Sequence, residues 1–161
     1  MPGYGDDSGF TAWLTANGRT MPGGAPTAAI LRQQGSVYVD GTYGLRFPGS
    51  PVGGAGQDRE WPRTGASDRY GTAIADNTVP QRVIDASYMA AYQLAVAPGS
   101  LSVVVDPGKR VKRQKVDTIE REFFEPGASS AVVPVLSAID GILAPLLLVV
   151  PAGAGIGIMV V

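Results

Sequence analysis

The densest chemistry in this sequence lies between residues 109 and 125. Lys109, Arg110, Lys112, Arg113 and Lys115 are basic; Asp117, Glu120, Glu122 and Glu125 follow, with Arg121 among them. A basic cluster of this kind is a candidate phosphate patch. Its acidic half counts against that use, because it repels the same phosphates the basic half attracts. Ile119, Arg121 and Phe123 alternate with Glu120, Glu122 and Phe124, a period of two that favours strand over helix. The spacing predicts an antiparallel ribbon turning near Asp117-Thr118. Lys112, Arg113 and Lys115 would then face Glu120 and Glu122 within the ribbon or across subunits. A charge-paired ribbon or intersubunit arm is preferred to a DNA-binding patch.

No other constellation points to catalysis. The chain has no Cys and no His, which excludes thiol chemistry, the Ser-His-Asp triad and the usual zinc sites. The glycines Gly153, Gly155 and Gly157 sit in an apolar run with no following Lys, so a phosphate loop is not expected. Carboxylates fall in the charged segment and in loops, without a spacing that pairs two across a cleft. The expectation is a protein that is not an enzyme and takes no cofactor or metal. Trp61, before Pro62, is read as a packing residue holding the chain to the core, and Arg63 as a solvated or paired surface charge.

The elements that must position the charged segment are helical. Across residues 79–96, Val79, Val83, Ala86, Ala90 and Leu94 recur at spacings of three and four, widened by Ile84, Ser87, Ala91 and Ala95. Pro80 suits the first turn, Thr78-x-x-Gln81 reads as a capping box, and Pro98-Gly99 ends the helix. The Ala and Ser on it invite close approach by a neighbour. A short first helix is expected after a cap at Asp7 or Ser8, with Phe10, Trp13 and Leu14 on one face, closed by Asn17-Gly18. A second runs from Thr27, with Ile30 and Leu31 inward, through Gly35 to about Tyr43. Residues 36–40 alternate as a strand would, but helix is preferred. A last helix starts near Pro134, with Val135, Ile139, Ile142, Leu143 and Leu146 as its stripe, kinked or ended by Pro145. The 22 Gly and 13 Pro among 161 residues require extensive loops and arms. The fold class expected is mainly α: a small helical bundle with a charged β-ribbon or extended arm and an apolar C-terminal arm. The division is a tail (1–6), a helical domain (7–148) with loops at 19–26 and 44–60 and the ribbon at 109–125, and an arm (149–161). Residues 47–58 are read as a disordered or surface loop.

No charged side chain follows Asp140. Residues 141–161 are long enough for a membrane span, but Pro145, Pro151 and four glycines interrupt them, so no membrane association is expected. No basic n-region followed by an apolar run opens the sequence, so a secretory signal is not expected either. The alternation of Ile156, Ile158 and Val160 suggests a strand that adds to a sheet edge on another molecule.

The order of these parts resembles a family of tailed-phage and prophage head–tail adaptor (connector) proteins, often labelled DnaT-like single-strand DNA-binding. The resemblance lies in the first helix, then Trp61-Pro62-Arg63-Thr64-Gly65, then Val79-Pro80 opening an Ala-rich helix. Residues 110–116 (RVKRQKV) and 138–146 (AIDGILAPL) follow, so residues 8–148 are covered. The resemblance implies a small helical domain assembling as a ring, twelve-fold to match the portal below which it sits. Its partners would be the portal and the next neck protein, a stopper or tail terminator. DNA would cross the lumen without sequence-specific binding, which a net charge of −1 suits. The location implied is the virion neck, and the host cytoplasm during assembly. Within that reading, Ile156, Ile158, Val160 and Val161 are the portal-docking residues, and Trp61, Pro62, Arg63 and Pro80 are structural anchors. The alternative is a single-strand DNA-binding replication protein, which needs exposed aromatics among Lys or Arg; Phe123 and Phe124 are the candidates.

Overall fold

The computed structural model describes residues 2–101, 113–116, 119–122 and 137–148. Among them are four α-helices and two small two-stranded antiparallel sheets, so the protein is mainly α. Helix α1 spans Asp7–Ala16, α2 Ala28–Tyr43, α3 Gln81–Val96 and α4 Ser137–Leu143.

The cap of α1 is Asp6 rather than Asp7 or Ser8. Its carboxylate accepts the Gly9 N–H at 2.7 Å and the Ser8 hydroxyl, and these bonds hold it below the usual carboxylate range. Phe10 and Leu14 are buried, Trp13 is half-buried, and Asn17 with positive-φ Gly18 closes the helix. Thr27 caps α2, which continues unbroken through Gly35 to Tyr43. Leu31 faces inward as expected. Ile30 does not; it is 48% exposed.

The close approach invited by the small residues of α3 is met by α2. A Cβ on Gly35 would lie 2.3 Å from the Ser87 carbonyl oxygen and 2.7 Å from the Ala91 nitrogen. Next to it, the buried hydroxyls of Ser36 and Ser87 bond across the crossing at 2.7 Å. Residues 36–40 remain helical because Ser36, Val39 and Tyr43 are buried on one side while Val37 and Gly41 are exposed on the other. Helix α3 starts two residues later than its hydrophobic stripe suggests. Pro80 is its last non-helical residue, and neither Thr78 nor Gln81 forms the expected box: Thr78 bonds Asn77, and Gln81 bonds Asp85. Ala97 and positive-φ Gly99 end it.

Two expectations about irregular chain are corrected. Residues 1–6 were expected to form a tail, yet Tyr4 is buried in the main core beside Val39, Tyr43, Trp61 and Val83. Residues 47–58 are not a loose loop either. Phe47 is buried edge-on to Trp61 at 5.6 Å, and β1 (Ser50–Pro51) pairs with β2 (Arg63–Thr64). Helix α4 lays Ile139 and Leu143 into the same core, and a short 3-10 turn at Ala144–Leu146 carries Pro145. The Pro145 carbonyl accepts from Arg69 N–H at 2.9 Å, and Leu148 N–H donates to the Arg46 carbonyl at 2.8 Å. Residues 134–136, the expected start of this helix, lie outside the described residues, as does the apolar run after Leu101.

Candidate interaction surface

The Trp61–Gly65 motif is built into the body through its buried residues Trp61 and Arg63. Trp61 is buried, and its bond to Pro62 is cis. Arg63, expected as a surface charge, is buried instead. Its Nε donates to the Pro48 carbonyl and its Nη2 to that of Gly49, each at 2.8 Å; Nη1 meets the carbonyl and carboxylate of Glu60. The guanidinium thus fastens the returning chain at residues 48–51 beneath the motif. The burial of Trp61 agrees with its reading as a packing residue, whereas the partners of Arg63 were not legible in the sequence, because backbone carbonyls leave no mark in residue identity.

A second buried network ties in the N-terminal segment. Tyr4 OH donates to Asp40 and accepts the Trp61 N–H at 3.1 Å, while Arg59 Nη1 meets the other Asp40 oxygen at 3.3 Å. Burial, then the bond to Asp40, pushes the Tyr4 phenol far above its ordinary value. Burial also raises the Asp40 carboxyl, with Tyr4 and Arg59 opposing only in part. The sign follows from linkage. The folded state holds the Asp40 proton more tightly than the unfolded chain does. That contribution is complete below the unfolded value of about 4 and is lost as pH rises through the raised folded value. Melting temperatures of wild type and Asp40→Asn from pH 3.5 to 7 are expected to show the wild type losing ground relative to the variant as pH increases. A difference independent of pH would contradict this.

The described parts of the charged segment pair as a ribbon. Strand β3 (Arg113–Val116) pairs antiparallel with β4 (Ile119–Glu122), placing Arg113 opposite Glu122 and Lys115 opposite Glu120. Four of the five ribbon residues singled out by charge are therefore brought together. Lys112 lies outside the described residues, as do Phe123, Phe124 and the arm residues Ile156, Ile158, Val160 and Val161.

The cations of the body are largely committed. Of the seven arginines in residues 2–101, Arg32 pairs with Asp7, Arg46 with Asp140, Arg59 with Asp40 and Arg63 with Glu60. Arg82 donates to the Ile142 carbonyl. Arg19 lies 5.5 Å from the Trp13 ring and 4.6 Å from Tyr92, and Arg69 lies 4.8 Å from Tyr70, itself 72% exposed. These last two are aromatic–cation groupings of the kind that stacks on single-stranded bases. Sequence reasoning passed over them, although Arg69 and Tyr70 are adjacent in the chain. All three lysines fall within residues 109–115.

Exposed large apolar side chains include Ile30 and Val37 on α2 and Val96 at the end of α3. A groove of about 750 Å³ lies between the two helices, lined by Ile30, Leu31, Val37, Tyr38, Leu94 and Leu101 among others. Among the described residues, no group of His, Cys, Asp or Glu could hold a metal ion, and no helix is long and apolar enough to cross a membrane.

Comparison with curated proteins and with solved structures gives no significant match. A family model does match, over residues 4–161 and so nearly the whole chain. The protein belongs to the family described as "Putative DnaT-like ssDNA binding protein".

Proposed function

We propose that this protein is a structural head–tail adaptor of a tailed-phage virion. It acts as one subunit of a twelve-fold ring below the portal, joining the portal to the next neck protein around the DNA channel. It works by assembly in the virion neck, without catalysis or cofactor. The observation that carries this reading is the ribbon register, in which Arg113 opposes Glu122 and Lys115 opposes Glu120. A surface meant to grip phosphates does not set carboxylates directly against its cations. The body supports the same reading. Its arginines are largely committed to internal partners, and the net charge is −1. The portal-docking role is assigned to Ile156, Ile158, Val160 and Val161, with the ribbon between subunits.

The family description favours a second reading, a single-strand DNA-binding replication protein, and the exposed Arg69–Tyr70 pair is the feature that fits it best. Reversing Lys112, Arg113 and Lys115 together to Glu separates the two. Exposed pairs contribute only about 0.2–1 kcal/mol each, so single reversals have little effect. The adaptor reading expects the triple reversal to abolish ring formation with portal while single-strand DNA affinity changes less than about threefold. Intact rings, with a steep salt-dependent loss of DNA binding, would establish the replication reading instead; each phosphate left without its cation flattens the log–log salt slope by about 0.7.

A further inference from the structure

The exposed side of α2 carries an apolar stripe that nothing among the described residues covers. Ile30 is 48% exposed and Val37 54%; Leu45, just beyond the helix, is fully exposed. Between Val37 and Leu45 sits Gly41, where an added Cβ would meet nothing within 4 Å. The stripe runs into the groove between α2 and the end of α3, and none of the groove's lining residues is charged. At its opposite end, Leu148 shares a hollow with Leu45, and its N–H is bonded to the Arg46 carbonyl at 2.8 Å. The chain therefore enters residues 149–161 beside one end of this stripe.

We propose that in the free protein residues 149–161 lie back along α2 and fill this groove, as an intramolecular occupant. Charge supports it: neither the groove nor the segment carries a charged side chain. Length supports it too. Leu45 to Ile30 is about 22 Å at 1.5 Å per helical residue, whereas 13 extended residues reach about 43 Å. The segment brings seven large aliphatic side chains (Val149, Val150, Ile156, Ile158, Met159, Val160 and Val161). Its glycines at 153, 155 and 157 let backbone pass close to a surface. Tethering decides between its own groove and a neighbour's. A short flexible link gives an effective concentration of order millimolar, far above the micromolar concentration of a second copy. A segment that is sheathed in the free protein and also docks on a portal must exchange one apolar site for the other. The inference about the free protein holds under either reading of function.

The absence of cysteine makes disulfide trapping a clean test. Val37→Cys is combined in turn with Ala152→Cys, Ala154→Cys and Ile156→Cys, each double variant is oxidised at low micromolar concentration, and products are separated by mass. At least one pair is expected to give an intrachain disulfide with yield independent of protein concentration. In parallel, truncation after Leu148 is expected to speed amide exchange on the outer face of α2 by about tenfold. Interchain products whose yield rises with concentration would overturn the proposal in favour of a second copy. No disulfide from any pair, with α2 exchange unchanged on truncation, would overturn it in favour of another occupant such as the apolar run after Leu101.

Discussion

Gly35→Ala is expected to destabilise the protein, although the same change in an ordinary helix interior stabilises by roughly 1 kcal/mol. The new methyl carbon would stand 2.3 Å from the Ser87 carbonyl oxygen, 2.7 Å from the Ala91 nitrogen and 3.2 Å from the Ala91 Cα. All three are backbone atoms, so no rotamer change relieves them, and α2 must move away from α3. Overpacking of this kind costs about 1–3 kcal/mol. The same displacement stretches the 2.7 Å bond between the Ser36 and Ser87 hydroxyls, both buried. The steric term outweighs propensity. A fall in melting temperature of several degrees is expected, at about 2–4 °C per kcal/mol for a chain of this size. Gly41→Ala, on the open side of the same helix, provides the internal control and should raise the melting temperature slightly. Equal behaviour of the two variants would show that the helices are not in contact at Gly35.

The larger loss is expected at Arg63. Replacing it with Ala strands the carbonyls of Pro48 and Gly49 and the carboxylate of Glu60 around an emptied, buried site. Leaving two buried carbonyls without their donors costs about 1–3 kcal/mol each, and Glu60, whose side chain is 35% exposed, adds less. Arg63→Lys is expected to recover little. An ammonium is a point donor and cannot reach carbonyls on either side as the planar fork does. Urea unfolding of both variants gives the comparison. A Lys variant within about 0.5 kcal/mol of wild type would mean that charge alone, rather than the fork, holds residues 48–51. The magnitude matters for function as well. If the Trp61–Gly65 motif fixes the fold in this way, its residues report on folding and not on a ligand.

What was legible in the sequence was periodic or punctuated. The stripe and terminal Pro-Gly of α3 placed that helix to within a residue or two. The period-two alternation of charge at 119–122 placed the strand pairing of the ribbon, while its expected turn at residues 117–118 lies outside the described residues. The helix over 27–43 was preferred to a competing strand pattern, and the structure bears it out, with Ser36, Val39 and Tyr43 buried along one side. What stayed hidden depends on contacts distant in sequence. Gly35 looks like a break until Ser87 and Ala91 are placed against it. Tyr4 sits in a Gly/Pro stretch with no periodicity, and its burial follows from the hydroxyl of Ser36, which accepts its N–H at 2.8 Å, together with Asp40 and Trp61. The order in residues 47–58 comes from Arg63, whose partners there are the backbone carbonyls of Pro48 and Gly49, together with Phe47 against Trp61 and Gln57 on the Pro62 carbonyl. Ile30 was expected inward with Leu31, but the buried pair at this turn is Leu31 and Arg32, whose guanidinium bonds Asp7 and the Gly5 carbonyl. Of the candidate interaction surface, the ribbon was visible; the aromatic–cation pairs and the uncovered side of α2 were not.

Assembly with the portal tests the central claim most directly. Mass photometry of the purified protein, alone and mixed with its portal, followed by electron microscopy of any large species, is sufficient. The adaptor account predicts small species for the protein alone, and twelve subunits added as a ring to one face of the portal in the mixture. A protein that ignores the portal at micromolar concentration but coats single-stranded DNA, with affinity falling steeply in salt, would contradict it.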